Sequence, residues 1–286
     1  MQSPMMRSSS IVAKRPGFLA LSMVLAVTPC HGHGGFHEEI ARCNERIAAE
    51  PGNAEHWFQR GRLDCLHGDW MRALMDLDTV ERLAPGKYPV DLVRSQAWLA
   101  GGKLPQAKTA LDAFVEAQPE VAEGFVTRAR LMVRLEQADA AAADFQKGLA
   151  ITESPEPDLY VETADALVMA KCPEKAVRTL DAGMVKLGVI ASLAEKALAL
   201  ERSLGHYEAA LSRIAVMQQA APRPEPWMAK RADVLAQAGR RDEARLAWEE
   251  LRGHLLALPD QERNSRSMSG LLEQCQQALA VPRPSP

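Results

Sequence analysis

The chain has 286 residues, 47% of them apolar and 25% charged, with a formal net charge of −3. That apolar content is enough for a core, while the mildly acidic balance, with arginines interleaved among Asp and Glu, excludes a basic nucleic-acid surface. Aromatics make up only 5%, and runs of Val, Ile, Thr and Tyr are missing, so the balance is helical.

Residues 1–34 differ from the rest. Arg7, Lys14 and Arg15 precede an apolar run from Phe18 to Val27, followed by small and turn residues through Gly35. This is the pattern of a secretory signal peptide, so the protein is expected to be exported to a periplasmic or extracellular compartment. The run is short for a bilayer and no later stretch is as long or as free of charge, so no transmembrane segment is expected. Cys30 follows the run as a lipid-modified cysteine would. Val27-Thr28-Pro29 lacks the small residue that usually precedes such a cysteine, which favours a soluble exported form. Loss of the leader takes the net charge from −3 to about −6.

Residues 37–52 read as half a repeat, a lone helix over 37–50 with Ile40, Cys43 and Ile47 at helical spacing and Pro51 closing it. Beyond it an alanine recurs: Ala73, Ala107, Ala141, Ala176, Ala210 and Ala244 lie 34, 34, 35, 34 and 34 residues apart. A period this regular means one supersecondary unit copied along the chain, each copy burying its apolar face only against its neighbours. With Ala54 as the first position, Trp57 is the fourth, Gly61 the eighth, Gly68-Asp69 the turn, Ala73 the twentieth and Pro85 the thirty-second. Small residues at the eighth and twentieth positions mark where two antiparallel helices cross closely. The Gly-Asp pair supplies the turn between them, and Pro85 ends the second helix.

The frame continues from residues 88, 122, 157, 191 and 225, with Ser95, Ala129, Ala164 and Ala232 in the small eighth position. A one-residue slip in Ser154-Pro155-Glu156-Pro157 resets it. In the fifth repeat Leu198 takes the eighth position and Ala194 the fourth, an exchange expected to change local packing without breaking the array. Residues 259–280 read as a capping helix with Met268, Leu271, Leu272, Cys275, Ala278 and Leu279 in one stripe, and 281–286 as a disordered tail.

Over roughly residues 37–280 these positions resemble the tetratricopeptide repeat family. The resemblance implies an all-α fold, a right-handed α-α superhelix of about six and a half helix-turn-helix repeats over 35–258 plus the cap. Its motif residues are structural, so it specifies a fold and leaves the partner open.

Little in the chain reads as chemistry. Arg60, Arg94, Arg128 and Arg231 recur at the seventh position, and Asp76 and Asp144 follow Arg60 and Arg128 by sixteen residues, on the partner helix. Partly buried salt bridges are expected there, in preference to a ladder for a polyanion. His31, His33 and His37 cluster near the expected cleavage site without partner ligands elsewhere, so neither a metal nor any other cofactor is assigned. Cys43, Cys65, Cys172 and Cys275 match no zinc or redox spacing. Cys43 and Cys65 fall on adjacent helices, where a disulfide is conceivable and buried thiols are the simpler reading. There is no GxSxG, HExxH or phosphate-cradling loop, and no enzyme is expected.

In the family this chain resembles, the first helix of each repeat lines a concave groove. The resemblance places Phe58, Arg62, Leu92, Gln96, Leu99, Val126, Arg130, Val133, Arg134, Val161, Asp165, Val168 and Met169 in that groove, apolar with basic residues early and acidic ones later. Such a surface suits an extended or helical peptide. The Lys and Asn of the carboxylate clamp that some relatives use are replaced by Phe58 and Arg62. The expected function is a non-enzymatic scaffold or adaptor binding a peptide or protein in the cell envelope. A self-associating spacer, or a metal-handling accessory acting through the His-rich terminus, are the alternatives, and nothing in the pattern sets an oligomeric state.

Overall fold

The structure, a computed structural model, describes residues 34–280. The expected leader, Cys30, His31, His33 and the tail at 281–286 lie outside the described residues. Within them there are fifteen helices and no strand. A single helix, α1 (Gly34–Ala49), precedes six hairpins: α2 (Ala54–His67) with α3 (Trp70–Leu83), α4 (Val90–Ala100) with α5 (Leu104–Ala117), and α6 (Ala122–Arg134) with α7 (Ala138–Ile151). The other three are α8 (Pro157–Met169) with α9 (Pro173–Leu187), α10 (Ala191–Ser203) with α11 (Tyr207–Ala220), and α12 (Glu225–Gln237) with α13 (Arg241–Ala257). A short turn of helix, α14 (Asp260–Arg263), leads into α15 (Arg266–Ala280), which packs on α13 and α12. Each hairpin closes on itself and then on the first helix of the next, so the fold is an all-α solenoid.

One backbone device makes all six hairpin turns. The fifteenth residue of every repeat, Gly68, Gly102, Glu136, Lys171, Gly205 or Gly239, has a positive φ between 57° and 92°. The next residue donates its N–H to the carbonyl five back, as Asp69 does to Asp64 at 2.8 Å and Cys172 to Leu167 at 2.8 Å. This left-handed stop satisfies the orphan carbonyls of the first helix and reverses the chain in two residues. Four positions use glycine, and Glu136 and Lys171 hold the same conformation with a Cβ. In the first hairpin the Asp69 carboxylate then accepts from the Arg72 N–H at 3.2 Å, starting the second helix.

The small positions sit at the crossings. Ala73, Ala107, Ala141, Ala176 and Ala210 have no exposed surface, and neither do Ser95, Ala129, Ala164 and Ala232. At Gly61 an added Cβ would lie 3.3 Å from Asp76 Cβ and 3.4 Å from the Ala73 carbonyl oxygen, so the backbones there are already in contact. In the fifth repeat Leu198 and Ala194 are both buried in one cluster with Ala210 and Ile214. The larger side chain at the eighth position thus occupies space that the smaller one at the fourth leaves. The array ends in a closed core, with Met268, Leu271 and Cys275 of α15 covering Leu251 and Leu255 of α13.

Arginines stitch the repeats together. Arg60 donates twice to Asp76, at 2.8 and 2.7 Å, and Arg128 twice to Asp144, at 2.6 and 2.8 Å, as the spacing predicted. A second set of contacts reaches sixteen residues backwards, across the repeat boundary. Arg60 donates to Asn44 at 2.7 Å, Arg94 to Asp78 at 3.0 Å and Arg128 to Asp112 at 3.1 Å. At Arg60 and Arg128 one guanidinium therefore fixes a first helix against its own partner and against the preceding repeat.

Candidate functional site

The first helices touch one another directly across repeats, as α2 with α4, α4 with α6, and α8 with α10. Helices that approach most closely between repeats lie on the inner side of a curved array, so this face is the candidate groove. A line of polar contacts runs along it. Gln96 donates to Glu123 at 2.9 Å, Arg130 to both oxygens of Glu162 at 2.8 Å, and Lys230 to Glu195 at 2.6 Å. Lys196 pairs with Asp165, Arg202 donates to Gln237 at 3.0 Å, and Arg134 donates to the Leu99 carbonyl. The Arg130 guanidinium is held more firmly charged than usual, first by its hydrogen bonds to Glu162, with burial opposing.

The thirteen expected groove residues therefore fall into three groups. Phe58, Leu92 and Val126 are buried, at 6%, 4% and 8% exposure. They lie three residues before Gly61, Ser95 and Ala129, on the side of the helix that meets the hairpin crossing. Val126 shows the consequence, since a Cβ on Gly148 of α7 would come 2.8 Å from its Cγ2. Gln96, Arg130, Arg134 and Asp165 form the inter-repeat contacts, while Arg62 lies over the Phe58 ring at 5.9 Å. Leu99, Val133 and Val161 are half-buried, and Val168 and Met169 are exposed at 37% and 44%. Apolar surface on this face is thus concentrated at the carboxy-terminal ends of α4, α6 and α8.

The face continues beyond the fourth repeat. Ala199, Arg202, Ser203, Tyr207 and Gln237 line an open depression of about 430 Å³ between α10 and α12. Extending the twelfth and thirteenth positions into the last two repeats would have found Arg202, Ser203 and Gln237 in the sequence. This depression and another lined by Gln146, Leu149, Lys175 and Arg178 are both open to solvent. All four described cysteines are free thiols, Cys43 and Cys65 among them. Burial pushes the Cys65 thiol up to about 11. Among the described residues no group of three or more His, Cys, Asp or Glu is placed to hold a metal ion, and no helix is long and apolar enough to cross a membrane.

Hairpins of about 34 residues, small residues at the crossings and a left-handed stop at each turn define a tetratricopeptide-type solenoid. No family model matches the chain, and no curated protein matches it. Among solved structures it is similar to MamA from Desulfovibrio magneticus RS-1, at 20% identity and a TM-score of 0.43, covering 59% of this chain and 88% of that one. It is also similar to TTC0263, a thermophilic TPR protein of Thermus thermophilus, at 17% identity and 0.49, covering 58% and 91%. A third is a tetratricopeptide repeat protein from Parabacteroides merdae ATCC 43184, at 15% identity and 0.47, covering 85% and 93%.

Proposed function

We propose that this protein is a non-enzymatic scaffold or adaptor, exported to the cell envelope, which binds a peptide or a protein segment along the inner face of its first helices. The observation that carries the reading is the apolar strip formed by Leu99, Val133, Val168 and Met169, bordered by the Arg130–Glu162 and Lys196–Asp165 ion pairs and by Arg134, whose guanidinium donates to the Leu99 carbonyl. Exposed Val168 and Met169 at the end of α8, with half-buried Val133 and Leu99 at the ends of α6 and α4, give a ligand apolar anchors. The bordering ion pairs offer carboxylate oxygens, and Arg134 a guanidinium, that set its direction. Phe58, Leu92 and Val126 support this floor from beneath, and the depression between α10 and α12 extends it.

Export rests on Arg7, Lys14 and Arg15 ahead of the Phe18 to Val27 run. Intact mass of the protein recovered from its native cells tests it; a chain that retains residues 1–30 in the cytoplasm overturns export. Binding is tested by capture from envelope extracts with wild type and with Val168→Glu/Met169→Glu, both sites being exposed enough to leave folding intact. Loss of the captured partners is expected. Undiminished capture of all of them overturns the groove reading.

A further inference from the structure

Four described histidines fall into two kinds. His56 is committed to Glu50 at 3.3 Å and His254 to Glu225 at 3.2 Å. His37 and His67, thirty residues apart in sequence, meet ring to ring, with centroids 4.6 Å apart and planes at 67°. His37 lies in the first turn of α1 and His67 is the last residue of α2. These two helices run antiparallel, which brings the start of one to the end of the other. Both side chains are exposed, and neither imidazole has an ion pair or hydrogen bond among the described residues. The rings can therefore turn without disturbing the core.

We propose that His37 and His67 are the protein ligands of a surface site for a late first-row divalent cation, Cu²⁺ or Ni²⁺ before Zn²⁺. Imidazole is the ligand type that suits these ions. A ligating nitrogen sits about 2.0–2.1 Å from such an ion, which puts each ring centroid roughly 3.2 Å from it, so two rings at right angles around the ion lie about 4.5 Å apart. At 4.6 Å the two exposed rings are close enough for a nitrogen of each to reach one ion when they turn. Among divalent first-row ions the affinity of nitrogen sites rises through Ni²⁺ to Cu²⁺ and falls again at Zn²⁺, which sets the order of preference. Two imidazoles supply half of a four-coordinate shell. Water completes it. The site is independent of the groove and would tie the amino-terminal end of the array to its first hairpin.

Calorimetric titration of the folded protein with Cu²⁺ and Ni²⁺ in a non-coordinating buffer tests the site, comparing wild type with His37→Gln, His67→Gln and His56→Gln. Wild type and His56→Gln should take up one equivalent with equal affinity, while His37→Gln and His67→Gln should each bind on the order of tenfold or more weakly. Circular dichroism should be the same for all four, since the substituted rings are exposed. Binding by His67→Gln equal to that of wild type would overturn the proposal, because the ion would then be held by the amino-terminal histidines alone. Failure of the wild type to bind either ion overturns it as well.

Discussion

Asp76→Ala is the most informative substitution in the array. The Asp76 side chain is 2% exposed and Arg60 is 16% exposed, joined by two parallel hydrogen bonds. Removing one partner of a buried ion pair typically costs about 3–5 kcal/mol, because the other charge is left uncompensated. Arg60 keeps Asn44 as an acceptor at 2.7 Å and keeps some solvent, so the cost belongs at the low end, about 3 kcal/mol. Arg60→Ala should cost more, since it strands the less exposed carboxylate. Burial already holds Asp76 above the ordinary carboxylate range, with Arg60 opposing. Arg60 therefore does not fully offset the desolvation of Asp76, and replacing both residues together, as Arg60→Met/Asp76→Leu, should cost about 1 kcal/mol or less. Urea unfolding followed by circular dichroism, fitted as nearest-neighbour coupled repeats, measures all three variants. A midpoint for Asp76→Ala indistinguishable from wild type would refute the reasoning. A double variant as unstable as Asp76→Ala would show that shape, and not charge, is what matters there.

Other expectations follow from single positions. Gly148→Ala and Gly183→Ala would bring a methyl within 2.8 Å of Val126 and 2.9 Å of Tyr160, and each should destabilise by about 1–3 kcal/mol. Gly253→Ala and Gly270→Ala meet nothing within 4 Å in their helices and should stabilise by about 0.5–1 kcal/mol in the same urea assay. Glu136→Gly and Lys171→Gly should also stabilise, by roughly 0.5–1 kcal/mol, because both residues hold a left-handed conformation that costs an L side chain about 1–2 kcal/mol. With Asp76 raised, the folded chain retains a proton that the unfolded chain has released. Wild type should therefore lose stability relative to Asp76→Asn as pH rises just above about 4, and paired melts across that window check the sign. Cys65, raised to about 11, should label slowly with a thiolate-selective reagent near pH 8 and react promptly once unfolded; fast labelling of the native protein would contradict its burial.

The fold was legible because its determinants are local and repeated. A close helix crossing tolerates only a small side chain, and a chain that repeats the crossing repeats the alanine, so Ala73 to Ala244 carry the architecture in plain view. The arginine pairs were half legible. Arg60 to Asp76 lies within one hairpin, whereas Arg60 to Asn44 crosses a boundary, and the sequence offers no reason to count sixteen residues backwards until the packing of successive repeats is known. The groove was less legible still. Phe58, Leu92 and Val126 stand three residues before the small crossing residues, a spacing that puts them on the buried side, and that signal was available in the sequence. The ion pairs that occupy Arg130 and Asp165 were not, since they depend on how far one first helix is rotated against the next. His67 similarly gains a meaning only when α1 lies antiparallel to α2.

The central claim is that recognition takes place on the inner face of the first helices. A photo-crosslinking residue placed at Met169 on that face, and separately at Met75 of α3, which is 70% exposed on a second helix, tests it in native cells. The account predicts adducts to a partner protein from position 169 and none from position 75. Adducts confined to position 75, or the same adducts from both, would contradict it.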